Sequence, residues 1–288
     1  MGKKESSTSV IIPLVTCLRD RIDRFLNTDV PPQYIGSGPY LEILFHFTRN
    51  KEFLHGILAT GFKYCWAREK IEGKYTLKEF GVPMVSFCDL RLSELPIHMD
   101  KYGLFGIGLS KSWAIDQGLN PVAYVNKNSE FTNFIFDGLE IYFAENMAIN
   151  DWKTATVANH AYMYLFNILR YIKNYEGVLE RDGKSGHYRF ADEREWRAVL
   201  SLHLEDLFPV LPLSRLASKK LKESANEYIQ SHLLKYLASD VRYIIVPTES
   251  DRQDTEAFIS TLSSQYGISG ARHLLSRILT AEQIRQDM

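Results

Sequence analysis

Short apolar runs bounded by turn-forming residues dominate the first half of the chain, and this pattern is typical of β-strands. Asn50 can cap a helix that continues to Thr60 and stops at Gly61, and Ser110 can cap another that stops at Gly118. A shorter helical turn is expected over 93–101. The runs predict four strands, over 41–47, 83–88, 105–109 and 121–125.

The second half begins with apolar residues at helical spacing, which predict a helical insertion over about 130–176. Thr280 begins a Thr-x-x-Gln sequence, a capping-box pattern that opens a last short helix. Between these two features the pattern predicts strands over His187–Phe190 and Trp196–Leu202, a long charged helix over Ser214–Leu237 and an apolar strand over Val241–Val246.

Residues 1–39 read as an N-terminal lead-in, with one short helix over Leu14–Leu26 followed by a proline turn and a glycine-rich loop. No long polar linker interrupts the rest of the chain. We therefore expect residues 40–288 to form a single α+β domain that carries the helical insertion.

Composition narrows the class of protein. The chain of 288 residues is 45% hydrophobic with a net charge of −1, so it can bury a core and has no overall basic field. Its three cysteines, Cys17, Cys65 and Cys88, are too few for a disulfide framework and are expected to be reduced thiols. The apolar stretch Val10–Leu18 is far too short to span a membrane. A cytoplasmic location without a membrane anchor is expected.

Two sequence patterns, one of glycines and one of histidines, are weak indications of a nucleotide site and a metal site. Gly103, Gly106 and Gly108 form G-x-x-G-x-G, but they precede a strand, so a pyrophosphate would find no helix N-terminus and a Rossmann site is rejected. The eight histidines have no short metal-ligand spacing. We expect no metal site.

The segment Asp192-Glu193-Arg194-Glu195-Trp196-Arg197 is the most unusual in the sequence. A solvated run of charges is the commoner explanation of such a segment. If it forms a strand, however, Glu193 and Glu195 point to the same side and stand together at the mouth of a sheet. Two such carboxylates can bind ribose hydroxyls and stabilise a cationic sugar carbon.

Polar side chains also mark the other predicted strands. His46 and Thr48 share one face of the first strand, and Ser86 lies on the second strand among apolar neighbours. His98 and Tyr102 precede the third strand. A satisfied, half-buried histidine and simple aromatic packing remain alternatives to a ligand site.

Taken as a set, these motifs resemble the AbiGi family of bacterial abortive phage-resistance proteins. The resemblance covers residues 40–288 and implies a place in a phage-defence toxin–antitoxin system, for which an antitoxin role has been named. The motifs that carry it are His46-Phe47-Thr48, the segment 83–89, His98 to Gly103, the segment 106–113, Pro121-Val122 and the segment 192–197.

The order of histidine, serine and Glu-x-Glu along the strands also resembles that of ADP-ribosyltransferases. This resemblance implies a split, mostly antiparallel sheet with NAD as the substrate in its cleft. It implies that Glu195 is the catalytic carboxylate and that Glu193 orients the acceptor. It further implies cofactor-binding roles: ribose contacts from His46 and Thr48, support from Ser86, and stacking of Tyr102 on nicotinamide.

The chain is similar in this respect to the mRNA-modifying toxin of the tripartite CmdTAC toxin–antitoxin–chaperone system. The expected function is therefore a phage-defence toxin that transfers ADP-ribose from NAD to a macromolecule, RNA more than protein, restrained by an antitoxin and a chaperone. The cations expected to meet RNA at the cleft mouth are Arg49, Lys51, Lys63, Lys111, Arg194 and Arg197.

Two other functions stay open at this point. One is a non-enzymatic antitoxin or regulatory partner that inhibits a toxin by binding it, and the other is a nucleic-acid-binding regulator with a degenerate site. Glu195→Gln separates them from the enzyme, since a binding protein tolerates that change and a transferase does not.

Overall fold

A computed structural model describes residues 41–146, 166–181, 183–200 and 209–287. The predicted lead-in 1–39 with its helix lies outside the described residues. So do Cys17, the middle of the predicted helical insertion and the end of the predicted strand Trp196–Leu202.

Nine strands form one sheet. They are β1 (Ile43–Thr48), β3 (Cys65–Glu72), β4 (Leu77–Cys88), β5 (Phe105–Ser110), β6 (Asn120–Pro121), β11 (Glu195–Val199), β12 (Leu211–Pro212), β14 (Val241–Val246) and β15 (Ile278–Thr280). Their order is β15-β14-β5-β1-β4-β11-β6, and β3 and β12 also pair with β4. All of these pairings are antiparallel except that of β14 with β15.

Six further strands form separate pairs. They are β2 (Phe62–Lys63), β7 (Ala123–Val125), β8 (Ile172–Asn174), β9 (Gly177–Arg181), β10 (Lys184–Tyr188) and β13 (Leu233–Leu234). A hairpin joins β9 to β10, β2 pairs with β13, and β7 pairs in parallel with β8.

Helices cover the sheet and connect its strands. Their bounds are α1 (Lys51–Thr60), α2 (Leu95–Tyr102), α3 (Lys111–Asp116), α4 (Glu130–Asn146), α5 (Lys219–Glu227), α6 (Glu249–Thr261), α7 (Ser263–Leu275) and α8 (Ala281–Asp287). The last of these opens on the predicted capping box: the Thr280 hydroxyl accepts from the Gln283 N–H at 3.1 Å, and Gln283 accepts from the Thr280 N–H at 3.0 Å.

The sheet opens between β1 and β4. Strand β1 pairs with β5 along its whole length, from Ile43 to Thr48, but its register with β4 is the single pair Phe45 and Cys88. The expectation of a mixed α+β fold with a mostly antiparallel sheet is therefore confirmed. Its assignment to the ADP-ribosyltransferase fold stays a prediction.

The glycines of β5 have a packing role. Gly106 lies opposite Phe47, and Gly108 lies opposite Phe45. A Cβ added at Gly108 would lie 2.7 Å from the Phe45 ring, and one at Gly106 would lie 2.6 Å from the Phe47 ring. The glycine pattern thus lets two aromatic rings lie flat against the sheet.

One apolar core spans the opening in the sheet. Leu44 and Ile107, from β1 and β5, belong to the same buried cluster as Val85 and Ala198, from β4 and β11. The two halves of the sheet are thereby packed against common helices, and the separation of β1 from β4 is local.

Two sequence-based predictions of helix were wrong in part. The helix expected over Ser214–Leu237 is confined to α5, because Ser218 caps it at its start and the chain leaves helical geometry after Glu227 to form β13. The expected insertion ends in a strand, β8, whose β-pairing with β7 overrides the local helical pattern.

Strand β3 was not predicted, because its sequence Cys65–Glu72 carries four charged residues. Its two buried residues, Trp66 and Ile71, lie five positions apart and therefore on opposite faces, and each belongs to a different apolar cluster. Pairing with β4 along its whole length stabilises a strand whose other residues are half-buried or exposed. The strand expected over His187–Phe190 ends at Tyr188, and Phe190 begins a 3₁₀ turn that continues to Glu193.

Candidate functional site

A cavity of about 360 Å³ occupies the opening between β1 and β4, and we call it the cleft cavity. Its lining includes five of the six residues predicted to form a site, namely His46, Ser86, Tyr102, Glu193 and Glu195. Strands far apart in sequence therefore bring these five side chains together.

Thr48, the sixth predicted residue, is not part of that lining. Its hydroxyl donates to the Asn50 carbonyl at 3.2 Å and accepts from the Asn50 N–H at 3.3 Å. It is buried in the turn that leads into α1. The structure thus places Thr48 at a local turn and leaves its predicted contact with ribose as a prediction.

The two glutamates reach the cleft cavity from different elements. Glu195 is the first residue of β11, but Glu193 ends the 3₁₀ turn, and Arg194 between them has φ +43°. The expectation that both stand on one strand was therefore wrong, because a left-handed residue interrupts the extended backbone. They nevertheless meet, since the Lys173 ammonium lies 2.9 Å from a carboxylate oxygen of each.

Arg197 binds Glu195 from the other side. Its Nε donates to Glu195 Oε1 at 2.8 Å, and its Nη2 donates to Glu195 Oε2 at 3.1 Å and to Glu69 Oε2 at 2.7 Å. The Nη1 donates to the Arg170 carbonyl at 2.8 Å. Arg197 is 0% exposed, and each of its three guanidinium nitrogens donates to an oxygen of the protein.

These contacts shift the ionisation of the network. Burial by itself raises the pKa of Glu195, but Arg197 and Lys173 overcome that effect and lower the pKa to about 2. Burial likewise opposes the charge of Lys173, whereas Glu195 and Glu193 hold its pKa well above the usual value. Both groups are charged at neutral pH.

Aromatic side chains form one wall of the cleft cavity. The Tyr102 hydroxyl donates to Glu193 Oε1, and the His98 ring stacks on Tyr102 with centroids 4.3 Å apart. Lys173 lies 5.0 Å from the centre of the Phe190 ring. Burial and the nearby Glu193 raise the pKa of Tyr188, whose ring lies 3.9 Å from the Lys101 ammonium.

His46 bridges the opening in the sheet. Its Nδ1 lies 2.8 Å from the Ser86 carbonyl oxygen, so Nδ1 is the protonated nitrogen and Nε2 is an acceptor. Burial lowers the pKa of His46, and the bond to the Ser86 carbonyl only partly opposes this. The imidazole is therefore neutral at pH 7, and it packs against both the Phe62 and the Phe87 rings, which also contact each other.

Several cations expected at an RNA surface have other roles. Arg197 is fully buried and cannot meet a macromolecule, which corrects that expectation. Lys111 is buried and binds Asp89 at 2.7 Å, and Lys51 binds Asp254 at 2.5 Å. Alternating strand faces explain the correction: Arg197 lies on the same side of β11 as Glu195.

Sequence reasoning missed Lys173 and Glu69, which complete the network. Lys173 lies in the stretch predicted as helix, and its approach to the glutamates depends on the pairing of β8 with β7. Glu69 lies on the unpredicted strand β3. The one available signal was the Arg197 position two residues after Glu195, which on a strand puts opposite charges side by side.

Two further observations concern the described part of the chain. None of its helices is long and apolar enough to cross a membrane. Within the same ranges, no group of three or more histidine, cysteine, aspartate or glutamate side chains is arranged to hold a metal ion. Cys65 and Cys88 are free thiols.

Comparison with known proteins identifies relatives. Residues 60–247 match the family model described as "Putative abortive phage resistance protein AbiGi, antitoxin". The abortive phage resistance protein AbiGi of Lactococcus lactis subsp. cremoris is 30% identical over 234 residues, which cover 73% of this chain and 90% of that protein. No solved structure matches the chain significantly. The family match and the identity to the Lactococcus lactis protein show that the chain belongs to the AbiGi family of abortive phage-resistance proteins.

Proposed function

We propose that this protein is a non-enzymatic antitoxin, the regulatory partner of a toxin in an abortive-infection system. The family description, which names an antitoxin, supports this function. The observation that carries it is the pairing of the cleft carboxylates with cations of the protein itself: each lining carboxylate, Glu69, Glu193 and Glu195, is bound by Lys173 or Arg197.

A transferase stabilises the positive charge that develops on ribose with a carboxylate aimed at that charge. Both oxygens of Glu195 already accept hydrogen bonds from cations of the protein itself. The attraction between Glu195 and a cationic sugar is weakened by the two nearer cations. A closed network of this kind fits a role in holding β3, β8 and β11 together better than a role in bond cleavage.

Induced expression of the chain alone in a bacterial host tests the proposal. An antitoxin leaves growth unchanged, and it restores growth when it is co-expressed with a toxic product of a flanking gene. The Glu195→Gln variant should give the same two results, provided that circular dichroism shows that the variant is folded. Growth arrest by the chain alone that Glu195→Gln relieves would refute the antitoxin function.

A second candidate function, transfer of ADP-ribose from NAD, is favoured by one specific observation. His46, Ser86, Tyr102, Glu193 and Glu195 converge on the same cavity, at the place where the sheet opens. The buried network of Glu69, Glu193 and Glu195 with Lys173 and Arg197 has one more negative than positive charge. That residual charge favours a ligand with a cationic ring such as nicotinamide in NAD.

In that reaction the bond between ribose C1′ and the nicotinamide nitrogen breaks, and nicotinamide leaves with the electron pair. A nucleophilic oxygen or nitrogen of the acceptor then bonds to C1′ and releases its proton. Glu195 would hold a ribose hydroxyl through the one lone pair that remains, on Oε1, and Glu193 would orient the acceptor. RNA is the preferred acceptor class in this proposal, with an antitoxin and a chaperone as restraining partners.

The transferase is tested with purified chain, NAD labelled in its adenylate phosphate, and separate pools of RNA and protein. Label on either pool with the wild-type chain, absent with Glu195→Gln, supports transfer and identifies the acceptor class. Glu94→Gln is the matched control, because Glu94 makes an exposed ion pair with Arg194 outside the cavity lining. Intact NAD and unlabelled pools with a folded wild-type chain exclude this second function.

A further inference from the structure

The surface around helix α5 collects positive charge in a chain whose net charge is −1. Residues 213–222 contain four cations and no carboxylate, and three of these cations lie among the first four residues of α5. An exposed lysine on β2 belongs to the same surface. We call this surface the basic face, and it consists of Lys63, Arg215, Lys219, Lys220 and Lys222.

One small apolar cluster holds the elements of the basic face in place. Trp66 of β3 and Leu216, which ends the 3₁₀ turn before α5, are both buried in it. The Trp66 backbone N–H donates to the Asn226 side chain at 2.9 Å, and its indole N–H donates to the Ala225 carbonyl at 3.2 Å. The Arg68 guanidinium donates to the Leu216 carbonyl. Helix α5 and the turn are therefore fixed against β3.

The Cys65 thiol links the two sides of the basic face. Desolvation raises the pKa of this thiol, and the positive charges of Lys222 and Lys63 partly oppose the shift. Lys222 belongs to α5 and Lys63 to β2, so cations from two elements act on one point. The basic face is therefore a continuous surface across these elements and not a property of one helix.

The fold makes little use of these charges. Among the described residues, the one ion pair that includes a cation of the basic face joins Lys219 to Glu223 at 3.8 Å, with the two side chains 91% and 62% exposed. Such an exposed pair contributes little to stability. The elements that carry the basic face hold two carboxylates, Glu223 and Glu227, so their positive charges exceed their negative charges by three.

Nucleic acid is the polyanion that fits this surface best. The centre of a protein–protein interface is apolar and depleted in lysine, whereas lysine, arginine and serine side chains on exposed surfaces contact phosphate oxygens. Ser214 and Ser218 are exposed among the cations and add hydroxyl groups to them. We propose that the basic face binds the phosphate backbone of a nucleic acid. The inference goes beyond both proposed functions and depends on neither, because the basic face lies outside the lining of the cleft cavity.

Fluorescence anisotropy of the full chain with short labelled RNA and DNA, each single-stranded and double-stranded, tests the proposal. Saturable binding to at least one of the four probes is expected, with an affinity that falls steeply as the salt concentration rises. The triple substitution Lys219→Gln, Lys220→Gln and Lys222→Gln should weaken binding at least about tenfold and make the salt dependence shallower. If thermal unfolding shows that this variant does not fold, Lys63→Gln with Arg215→Gln replaces it with the same expected direction.

A matched control removes three positive charges from exposed lysines on other parts of the surface, and it should change the affinity less than about twofold. Its substitutions are Lys74→Gln, Lys127→Gln and Lys184→Gln. The folded Glu195→Gln variant should bind as the wild-type chain does, since Glu195 lines the cleft cavity. Polyglutamate of equal total charge should compete at least about tenfold more weakly, because nucleic acid has the denser charge and releases more counterions.

The four probes identify the class of nucleic acid, and binding of any one of them that depends on α5 supports the proposal. Absence of saturable binding of all four to the folded wild-type chain would overturn it. Equal weakening by the control variant, loss of binding in Glu195→Gln, or equal competition by polyglutamate would overturn it as well.

Discussion

Arg197 shows how much of this fold depends on one buried charge. Its guanidinium satisfies Glu69 and Glu195 and holds the Arg170 carbonyl, so it connects β3, β11 and the segment before β8. Replacement of one partner in such a network leaves buried charges without compensation. The free energy of unfolding therefore depends on Arg197 far more than on any exposed arginine.

We predict that Arg197→Gln lowers the free energy of unfolding by about 3 to 5 kcal/mol, measured by urea denaturation. Arg194→Gln is the matched control in the same segment. Its side chain is 47% exposed and pairs with Glu94, so its loss should change stability by at most about 1 kcal/mol. Equal effects of the two substitutions would show that the Arg197 network contributes nothing beyond a surface ion pair.

The ionisation of Glu195 makes the free energy of unfolding depend on pH. Its pKa of about 2 in the folded chain lies below the ordinary value of 4.5, so the unfolded chain binds the proton more readily. The stabilisation is complete above pH 4.5 and is lost as pH falls from 4.5 through about 2. A difference of this size corresponds to about 3 kcal/mol. Urea denaturation at a series of pH values should show this decline, with a shallower slope in Glu195→Gln. Equal slopes of unfolding free energy against pH in the wild-type chain and Glu195→Gln would contradict this prediction.

At the scale of secondary-structure elements, the close junction of β1 and α2 leaves no room for a side chain at Gly103. Gly103 combines φ +118° with a backbone approach that no side chain allows. Gly118, after α3, also has a positive φ, of +72°, but a Cβ there would meet nothing within 4 Å. Substitutions at the two glycines therefore distinguish the effect of backbone conformation from the effect of steric contact.

We predict that Gly103→Ala lowers the free energy of unfolding by more than about 2 kcal/mol, because strain and a clash with the Thr48 carbonyl act together. Gly118→Ala should cost only about 1 kcal/mol from the left-handed backbone. Denaturation midpoints of the two variants provide the measurement. A milder effect at Gly103 than at Gly118 would show that α2 can move away from β1.

At the scale of the whole molecule, the opening between β1 and β4 does not divide the described domain. Leu44 and Val85 lie in one buried cluster although they belong to strands on opposite sides of the opening. A shared core couples the two halves, since neither can lose its packing without exposing the other.

We therefore predict one cooperative unfolding transition for β5 and β11, which lie on opposite sides of the opening. Hydrogen exchange in increasing denaturant should give their most protected amides the same free energy of opening, within about 1 kcal/mol. Exchange of β11 at a much lower free energy than β5 would show that the half carrying Glu195 opens independently.

The sequence by itself determined the local structure wherever short-range chemistry decides it. The end of α1 at Gly61, the Ser110 and Thr280 caps and the apolar strand Val241–Val246 were all predicted and are all present. In each case the deciding groups lie within a few residues of one another, so spacing alone carries the information.

Only the tertiary structure decided what surrounds the two glutamates. The sequence placed Glu193 and Glu195 near each other, but Lys173 reaches them from β8, at least twenty residues away along the chain. Glu69 reaches Arg197, which binds Glu195, from β3, more than one hundred residues away. The local pattern of apolar and polar residues does not indicate which distant strand becomes a neighbour, because strand pairing depends on the packing of the whole sheet. Whether a carboxylate faces a ligand or a buried cation is therefore a property of the fold.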